Sequence, residues 1–382
     1  KREGLKPTME NMRELGEKYA QVFISDVSRL GIDPMRIQFP RASDYVPAQI
    51  AMIKTLEEKG YAYRAEDGVY FDTSRFTHYG ELGGIDLEGL KEGARVAKND
   101  DKRNPTDFAL WKFDKKLGWD SPWGKGFPGW HIECSAMINS CLGKQIDIHT
   151  GGIEHIPIHH NNEIAQSECA TGKRPFCRFW IHRAHLQLEG AKIAKSVGNV
   201  VYLSDLDEKG YHPMSLRYLL LSSHYRTSSN FTWEALEASQ TALVKLLAKR
   251  LAIKDAPGTV PEEYRARFND RINDDVDTAG ALAVLWEMTK DDAISPADLV
   301  AGFIEFDRVF GIGIGEPDAD LKKLASSEFR QQLSPAEIPD EIKHLVMERE
   351  AARKKRSWKK ADELRSKIES EGFTLDDSSE GT

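Results

Sequence analysis

The sequence predicts an α/β domain with an insertion, followed by an all-α bundle and a C-terminal helical hairpin. Three observations lead to this fold class. Short apolar segments alternate with helical ones over residues 128–201, which is the pattern of a parallel sheet with crossover helices. Beyond Pro213 the apolar spacing is helical throughout. A break around Pro335 and Pro339 then precedes a charged helical pair.

Length and composition are those of a chain with several domains. The 382 residues are 40% hydrophobic and 30% charged, enough for full cores in two or three domains. No run reaches the roughly 18 to 20 apolar residues of a membrane span, and the first residues lack the apolar stretch of a signal peptide. We therefore expect a cytoplasmic protein with no membrane partner.

Charge and cysteine content narrow the function. A net charge of -8 argues against nonspecific coating of nucleic acid, although a local basic surface could still bind one. The cysteines are sparse and unevenly spaced, which suits reduced thiols or a metal ligand better than a disulfide framework. They are Cys134, Cys141, Cys169 and Cys177.

The elements of the first half follow from local patterns. Apolar residues at spacings of three and four predict helices over residues 9–31 and 48–57, and alternation predicts a strand over 69–72. Residues 74–127 are rich in Gly, Pro and charge. We interpret them as long ordered loops within an insertion of about 60–127.

The second half carries helical spacing. Helices are predicted over 236–251, 279–288 and 299–310, and the final charged pair covers 341–353 and 358–371. Gly372 is the predicted C-cap of the last helix.

A histidine-rich segment, residues 149–163, contains the spacing of metal ligands. On a helix His159 and Glu163 lie one above the other, so both can reach one ion. Cys134 could add a thiolate, and the combination of Cys, His and Glu suits zinc better than magnesium or calcium. Solvated side chains at a helix start explain His159 and Glu163 equally well when this segment is taken alone.

Three ligands leave a tetrahedral site incomplete, so a fourth protein ligand or an exchangeable one is needed. His160 is the rival of His159, although only His159 shares a helical face with Glu163. The other three cysteines are better explained as small core residues than as ligands.

A second motif, residues 190–199, places Lys192, Lys195 and Ser196 in one loop between glycines. Such a loop can bring ammonium and backbone N–H groups to a triphosphate. A lysine-rich surface loop is the commoner explanation when the segment is taken alone.

Together and in this order, the two motifs resemble the catalytic domain of class I aminoacyl-tRNA synthetases, most closely that of the cysteinyl enzymes. The likeness covers essentially the whole chain. It runs through residues 101–105, 107–108, 110–112, 121–124, 128–137, 159–161, 163–167, 216–218, 351–353, 361–363 and 381–382.

The resemblance implies a domain order. Residues 1–200 would form the C-terminal portion of a Rossmann-type catalytic domain, and 201–235 a connector that contacts the tRNA stem. An α-helical tRNA-binding bundle would cover 236–334, and an anticodon-side hairpin 335–382.

The resemblance also implies a reaction and its partners. The family activates L-cysteine with ATP and Mg²⁺ to cysteinyl-adenylate and transfers it to tRNA(Cys), and the protein would be a monomer. One zinc ion would recognise the substrate thiolate. Its ligands fall on Cys134, His159 and Glu163, and a fourth, a cysteine, lies upstream of Lys1.

The family's lysine-serine signature, KMSKS, matches the second motif with two changes. Ile193 and Ala194 replace Met and Ser, while the resemblance assigns catalysis to the retained Lys192, Lys195 and Ser196. The two lysines would also bind ATP, together with four residues of the first motif and the last residue of the second: His149, Gly151, Gly152, Glu154 and Asn199.

The remaining assignments concern the amino-acid pocket and adenosine. Trp130 and His131 would wall the pocket, with a core position for Trp130 as an equal alternative. Glu154 stands at the position of the family's ribose-binding aspartate and is one methylene longer.

The HIGH signature of class I synthetases is absent from the sequence, and the resemblance places it before residue 1. We expect a truncated synthetase, with a catalytically inactive tRNA-binding relic as one alternative. A second alternative is a cysteine ligase that acts on an amino sugar, as in mycothiol biosynthesis. The basic residues at 353–356 and 359–360 favour tRNA.

Overall fold

The computed structural model describes residues 4, 6–85, 102–192, 200–328, 338–354, 357–371 and 373. The chain divides into two compact units. Unit 1 comprises Lys1–Lys209, Leu220–Trp233 and Arg271–Ala279; unit 2 comprises Gly210–Leu219, Glu234–Asp270 and Gly280–Thr382.

Unit 1 opens with two helices, α1 (Met9–Arg29) and α2 (Val46–Glu58), and both confirm the sequence prediction. The Thr8 side chain caps α1 by accepting a hydrogen bond from the Asn11 amide, which satisfies one free N–H of the first turn. Helix α2 buries an apolar face in the core of unit 1, whereas no described residue of α1 is buried.

The insertion contains an antiparallel sheet. Its strands lie in the order β1 (Ala62–Arg64), β2 (Gly68–Phe71), β3 (Phe108–Phe113) and β4 (Gly126–Pro128). The strand predicted at 69–72 is confirmed, but the interpretation of 74–127 as loops is wrong for β3 and β4. Their pairing with β2 and with each other is not local, so glycine and proline content alone did not predict it.

The predicted parallel α/β pattern is confirmed downstream. Helix α3 (Trp130–Cys141) leads into β5 (Ile146–Gly152), and α4 (Asn161–Thr171) crosses over to β6 (Cys177–Arg183), which pairs with β5 in parallel. Between β5 and α4 the chain forms a 3-10 turn and then a π-helical turn, Ile156–His160.

A third small sheet follows, in the order β8 (Ala191–Lys192), β7 (Leu186–Leu188) and β9 (Ser229–Phe231). Strands β7 and β9 are parallel. The prediction of helices throughout beyond Pro213 is wrong at β9. A three-residue strand is too short to produce a recognisable alternation, and only its pairing with β7 defines it.

The remaining elements are helical. They are α5 (Leu203–Glu208), α6 (Pro213–Leu221), α7 (Trp233–Leu251), α8 (Glu262–Asn273), α9 (Thr278–Met288), α10 (Pro296–Phe310), α11 (Ala319–Glu328), α12 (Asp340–Lys354) and α13 (Trp358–Ser370). Phe268 and Phe306 stack with ring centroids 4.0 Å apart in the core of unit 2. Helices α12 and α13 pack against each other as the predicted hairpin; the expected C-cap, Gly372, lies outside the described residues.

Within the parts of the chain that the structure describes, no helix combines the length and apolarity needed to cross a membrane.

Candidate active site

Three neighbouring elements of unit 1 bring Cys134, His159 and Glu163 together. Cys134 lies on α3, His159 in the π-helical turn and Glu163 on α4, and one ligand atom of each lies within 4.8 Å of the others. His159 Nε2 is 3.5 Å from Glu163 Oε1. Two ligands of one tetrahedral zinc ion are about 3.3 Å apart when the metal bonds are about 2.0 to 2.1 Å. The geometry therefore fits one ion.

The carboxylate of Glu163 shows why an ion suits this position. Glu163 is 0% exposed, and its Oε1 receives no hydrogen bond of normal geometry from the described residues. A buried carboxylate oxygen without a partner is unfavourable, and a cation would supply that partner. Thiol, imidazole and carboxylate together are donors that zinc accepts.

Burial sets the protonation of the other two residues. It raises the pKa of the Cys134 thiol to about 12, and the charges of Glu163 and Glu133 reinforce the shift. Burial also lowers the pKa of His159. Without a cation Cys134 is therefore a neutral thiol and His159 a neutral imidazole, which is the form that binds metals.

A second group of possible ligands shares the same carboxylate. Atoms of His149, His160 and Glu163 also lie within 4.8 Å of one another. However, His149 Nε2 is only 2.8 Å from Glu163 Oε2, which is the length of a hydrogen bond and too short for two ligands of one ion. His149 is therefore better explained as a hydrogen-bond partner of Glu163 than as a ligand of a second metal site.

The sequence left His160 as an alternative ligand to His159, and the structure distinguishes the two by their hydrogen-bond partners. The expectation that only His159 shares a helical face with Glu163 is wrong, because residues three and four positions apart both lie on one face: His160 Nε2 is 3.9 Å from Oε2. His160 Nδ1 lies 2.8 Å from His182 Nε2. His182 was not among the predicted site residues; its only signal in the sequence is a histidine within residues 128–201, where short apolar segments alternate with helical ones.

Three of the predicted ATP residues, Gly151, Gly152 and Glu154, lie at the carboxyl end of β5 or just beyond it, where open α/β sheets bind ligands, and His149 lies in the middle of the strand. A Cβ on Gly151 would stand 2.6 Å from Cε1 of His160 and 2.7 Å from Nδ1 of His155, so the histidine rings need a glycine there. Gly152 ends the strand. Glu154 is exposed in the following turn, with Oε2 3.7 Å from His185 Nδ1.

The predicted pocket residues begin α3. Trp130 is 71% exposed, so the alternative of a core position is wrong, and its ring centroid lies 6.4 Å from that of His159. His131 is partly buried, with its Nδ1 2.8 Å from His159 Nδ1.

The lysine loop is described only in part. The backbone of Lys192 belongs to β8, and its side chain is not described. Lys195, Ser196 and Asn199 lie outside the described residues. The turn before β8 is tied to β9, because the Gly190 amide donates to the Asn230 side chain over 2.8 Å.

The remaining cysteines lie outside the ligand group. Cys169 and Cys177 are buried in apolar clusters, as the sequence predicted. Cys141 is half-buried, with its Sγ 3.3 Å from the hydroxyl of Tyr45.

Comparisons with known proteins identify the class of protein to which this fold belongs. The family model of the class I (C) tRNA synthetase catalytic domain matches residues 5–241. The Mycobacterium tuberculosis methionyl-tRNA synthetase, solved with methionyl-adenylate, is similar in fold, with a TM-score of 0.53 and 16% identity over 82% of this chain and 80% of that one. The architecture is that of a class I aminoacyl-tRNA synthetase.

The sequence relatives narrow this class. Cysteine--tRNA ligase 1 of Burkholderia lata is 41% identical over 384 residues, which cover 99% of this chain and 78% of that protein. The cysteine--tRNA ligase of Treponema denticola is 38% identical over 395 residues, 95% of this chain and 78% of that protein. The chain belongs to the cysteine--tRNA ligase family, which confirms the resemblance seen in the sequence.

Proposed function

We propose that the chain activates L-cysteine with ATP to cysteinyl-adenylate and transfers it to tRNA(Cys), with one zinc ion held by Cys134, His159 and Glu163. The observation that carries this proposal is the convergence of these three donors around a buried, unpartnered carboxylate oxygen in a member of the cysteine--tRNA ligase family.

The proposed ligands address a problem of discrimination. Cysteine, serine and alanine are nearly the same size, and an apolar pocket separates such neighbours by only about 1 to 3 kcal/mol. When bound, zinc would coordinate the substrate thiolate, an interaction that an alcohol or a methyl group does not match. The exposed ring of Trp130 and the imidazole of His131 flank His159 and would line the cysteine pocket.

ATP would bind along the carboxyl ends of β5 and β6. Gly151, Gly152 and Glu154 lie at or just beyond the end of β5, His149 lies in the middle of this strand, and Asn199 belongs to the lysine loop. Lys192, Lys195 and Ser196 would stabilise the charge that develops as pyrophosphate leaves with Mg²⁺. The substrate carboxylate attacks the α-phosphate, so these side chains act by position and charge.

The domain division expected from the sequence is part of the proposal. Residues 1–200 would carry catalysis, 201–235 the stem contact, and 236–334 and 335–382 the grip on tRNA. Lys359 and Lys360 are exposed on α13, as phosphate-binding residues must be. The long helical part favours tRNA over an amino sugar as acceptor, and we place the protein, as a monomer, in the cytoplasm.

Zinc content and cysteine-dependent ATP–pyrophosphate exchange test this function. We expect one zinc per chain. A version extended upstream in its reading frame, which tests the expected HIGH segment, should exchange with cysteine and not with serine, whereas this chain alone should not exchange. In the extended version Cys134→Ser should lose both zinc and exchange, whereas the matched control Cys141→Ser should keep them. Zinc binding without exchange in either version would favour the relic, and exchange unaffected by Cys134→Ser would exclude the proposed ligands.

A further inference from the structure

Two histidines outside the ligand group form hydrogen bonds to proposed ligands. His131 bonds to His159, and His149 bonds to Glu163. We propose that His131 and His149 are positioning residues of the metal centre, with His131 orienting His159 and His149 orienting Glu163. This inference rests on the proposed metal site and deepens it. It gives both histidines a role besides those expected in the cysteine pocket and at ATP.

The contact between His131 and His159 determines where their protons lie. The two Nδ1 atoms are 2.8 Å apart, so one donates and the other accepts. His159 faces Glu163 Oε1 with Nε2, and a neutral imidazole that offers Nε2 to a cation carries its proton on Nδ1. His159 therefore donates to His131, and His131 carries its own proton on Nε2.

His131 is itself held in place by its surroundings. It lies three residues before Cys134 on α3, so one face of this helix presents both a ligand and the support for another ligand. The edge of its ring meets Phe108 of β3, with centroids 5.7 Å apart, and Phe108 is 7% exposed. The support is therefore anchored in the sheet of the insertion.

The contact between His149 and Glu163 gives the two carboxylate oxygens different partners. A carboxylate only accepts hydrogen bonds, so His149 Nε2 must donate to Oε2 across 2.8 Å. This bond occupies Oε2 and leaves Oε1 facing His159. The ring of His149 is fixed between Trp180 and His160, with centroid distances of 5.0 and 4.7 Å.

The two supports would order the ligands before any ion arrives. Partners of this kind fix the tautomer and orientation of a ligand, and their loss lowers metal affinity on the order of 10- to 100-fold. An unsupported His159 or Glu163 would have to be reoriented when the ion binds, and this reorientation weakens binding.

The test measures zinc affinity of the full chain by competition with a chelator, and the absorption spectrum of its cobalt(II) form. His131→Phe and His149→Phe keep a ring of similar shape and remove the nitrogens. Asn places an amide near the position of Nδ1, and Gln near that of Nε2, so His131→Asn and His149→Gln are the conservative rescues. His182→Phe is the matched control, because His182 bonds to His160, which is not a ligand.

We expect each Phe variant to lose on the order of 10- to 100-fold in zinc affinity and to show altered cobalt ligand-field bands, with the Cys134 charge-transfer band retained. The Asn and Gln variants should recover most of the affinity, and His182→Phe should stay near the unaltered chain. If a Phe variant does not fold, the corresponding Leu variant carries the same comparison.

Three outcomes would overturn the inference. Phe variants with unchanged affinity and spectra would show that the supports do not act on the ligands, while the metal site itself stands. Equal losses in the Phe variants and their amide rescues would show that a hydrogen bond at these positions does not restore the affinity, so orientation of the ligands by that bond is not the cause. An unaltered chain that binds neither zinc nor cobalt would remove the metal site and the inference together.

Discussion

At the scale of single residues, a buried aspartate connects the insertion to the candidate metal centre. Asp107 is 1% exposed. It accepts hydrogen bonds of 2.8 to 3.0 Å from the side chain of Tyr63, the amide and hydroxyl of Thr73 and the amide of Asn104. Phe108 follows it directly and meets His131 edge-on. The position of His131 therefore depends on a hydrogen-bond network in the insertion.

Replacing Asp107 by Ala should lower the free energy of unfolding of the chain by about 2 to 4 kcal/mol, because several buried donors lose their acceptor at once. Urea denaturation followed by circular dichroism measures the change. The control is Asp120→Ala at an exposed position, which should stay within about 0.5 kcal/mol. A loss below about 1 kcal/mol for Asp107→Ala would mean that water replaces the missing acceptor.

Residue types in the sequence predicted the metal ligands but not their supports. Cys134, His159 and Glu163 stood out because their chemistry suits zinc and two of them have helical spacing. His131 and His149 lie 28 and 14 residues from the ligands they contact, so no local pattern relates them. A pairing at that separation is visible only after folding.

At the scale of elements, the start of α3 depends on a glycine. Gly129 is the single residue between β4 and α3. A Cβ at this position would stand 1.9 Å from the carbonyl oxygen of Ala109 in β3. The obstacle is backbone, which cannot turn aside as a side chain can. Helix α3 carries His131 and Cys134. The close approach of α3 to β3 therefore fixes the position of both side chains relative to the other proposed ligands.

Gly129→Ala should therefore destabilise the chain by about 1 to 3 kcal/mol and weaken zinc binding, because α3 must shift away from β3. Thermal denaturation and chelator competition measure the two effects. Gly16→Ala on α1 is the control: its Cβ meets nothing within 4 Å, so the change should stabilise the helix by about 0.5 to 1 kcal/mol. Effects of the same sign at both positions would contradict the structure.

Elements were predictable where their signal is local. The predicted helices of both halves show apolar spacings of three and four, and the structure confirms them. Strands β3, β4 and β9 were missed because their stability comes from partners distant in sequence. The π-helical turn before α4 was missed as well.

At the scale of the whole molecule, every proposed metal ligand belongs to unit 1. A bound ion stabilises the elements that hold it by mass action, and amides elsewhere report their own local stability. Metal binding should therefore be visible in one part of the chain.

Removal of zinc with a chelator should speed amide hydrogen exchange in α3 and α4, which carry Cys134 and Glu163, and leave α10 of unit 2 unchanged. Exchange measured by mass spectrometry resolves these segments. In Cys134→Ser the chelator should have no effect on any of them. An equal change in α10 would show that the ion acts on the chain as a whole.

The sequence by itself determined the family, the α/β-then-helical order and the chemical identity of the proposed ligands, because these depend on residue types, short spacings and local periodicity. Only the tertiary structure decided which oxygen of Glu163 faces the other ligands, which histidines support the ligands, and where the insertion strands pair. Those features depend on contacts between residues far apart in sequence, and such contacts exist only once the core of unit 1 has packed.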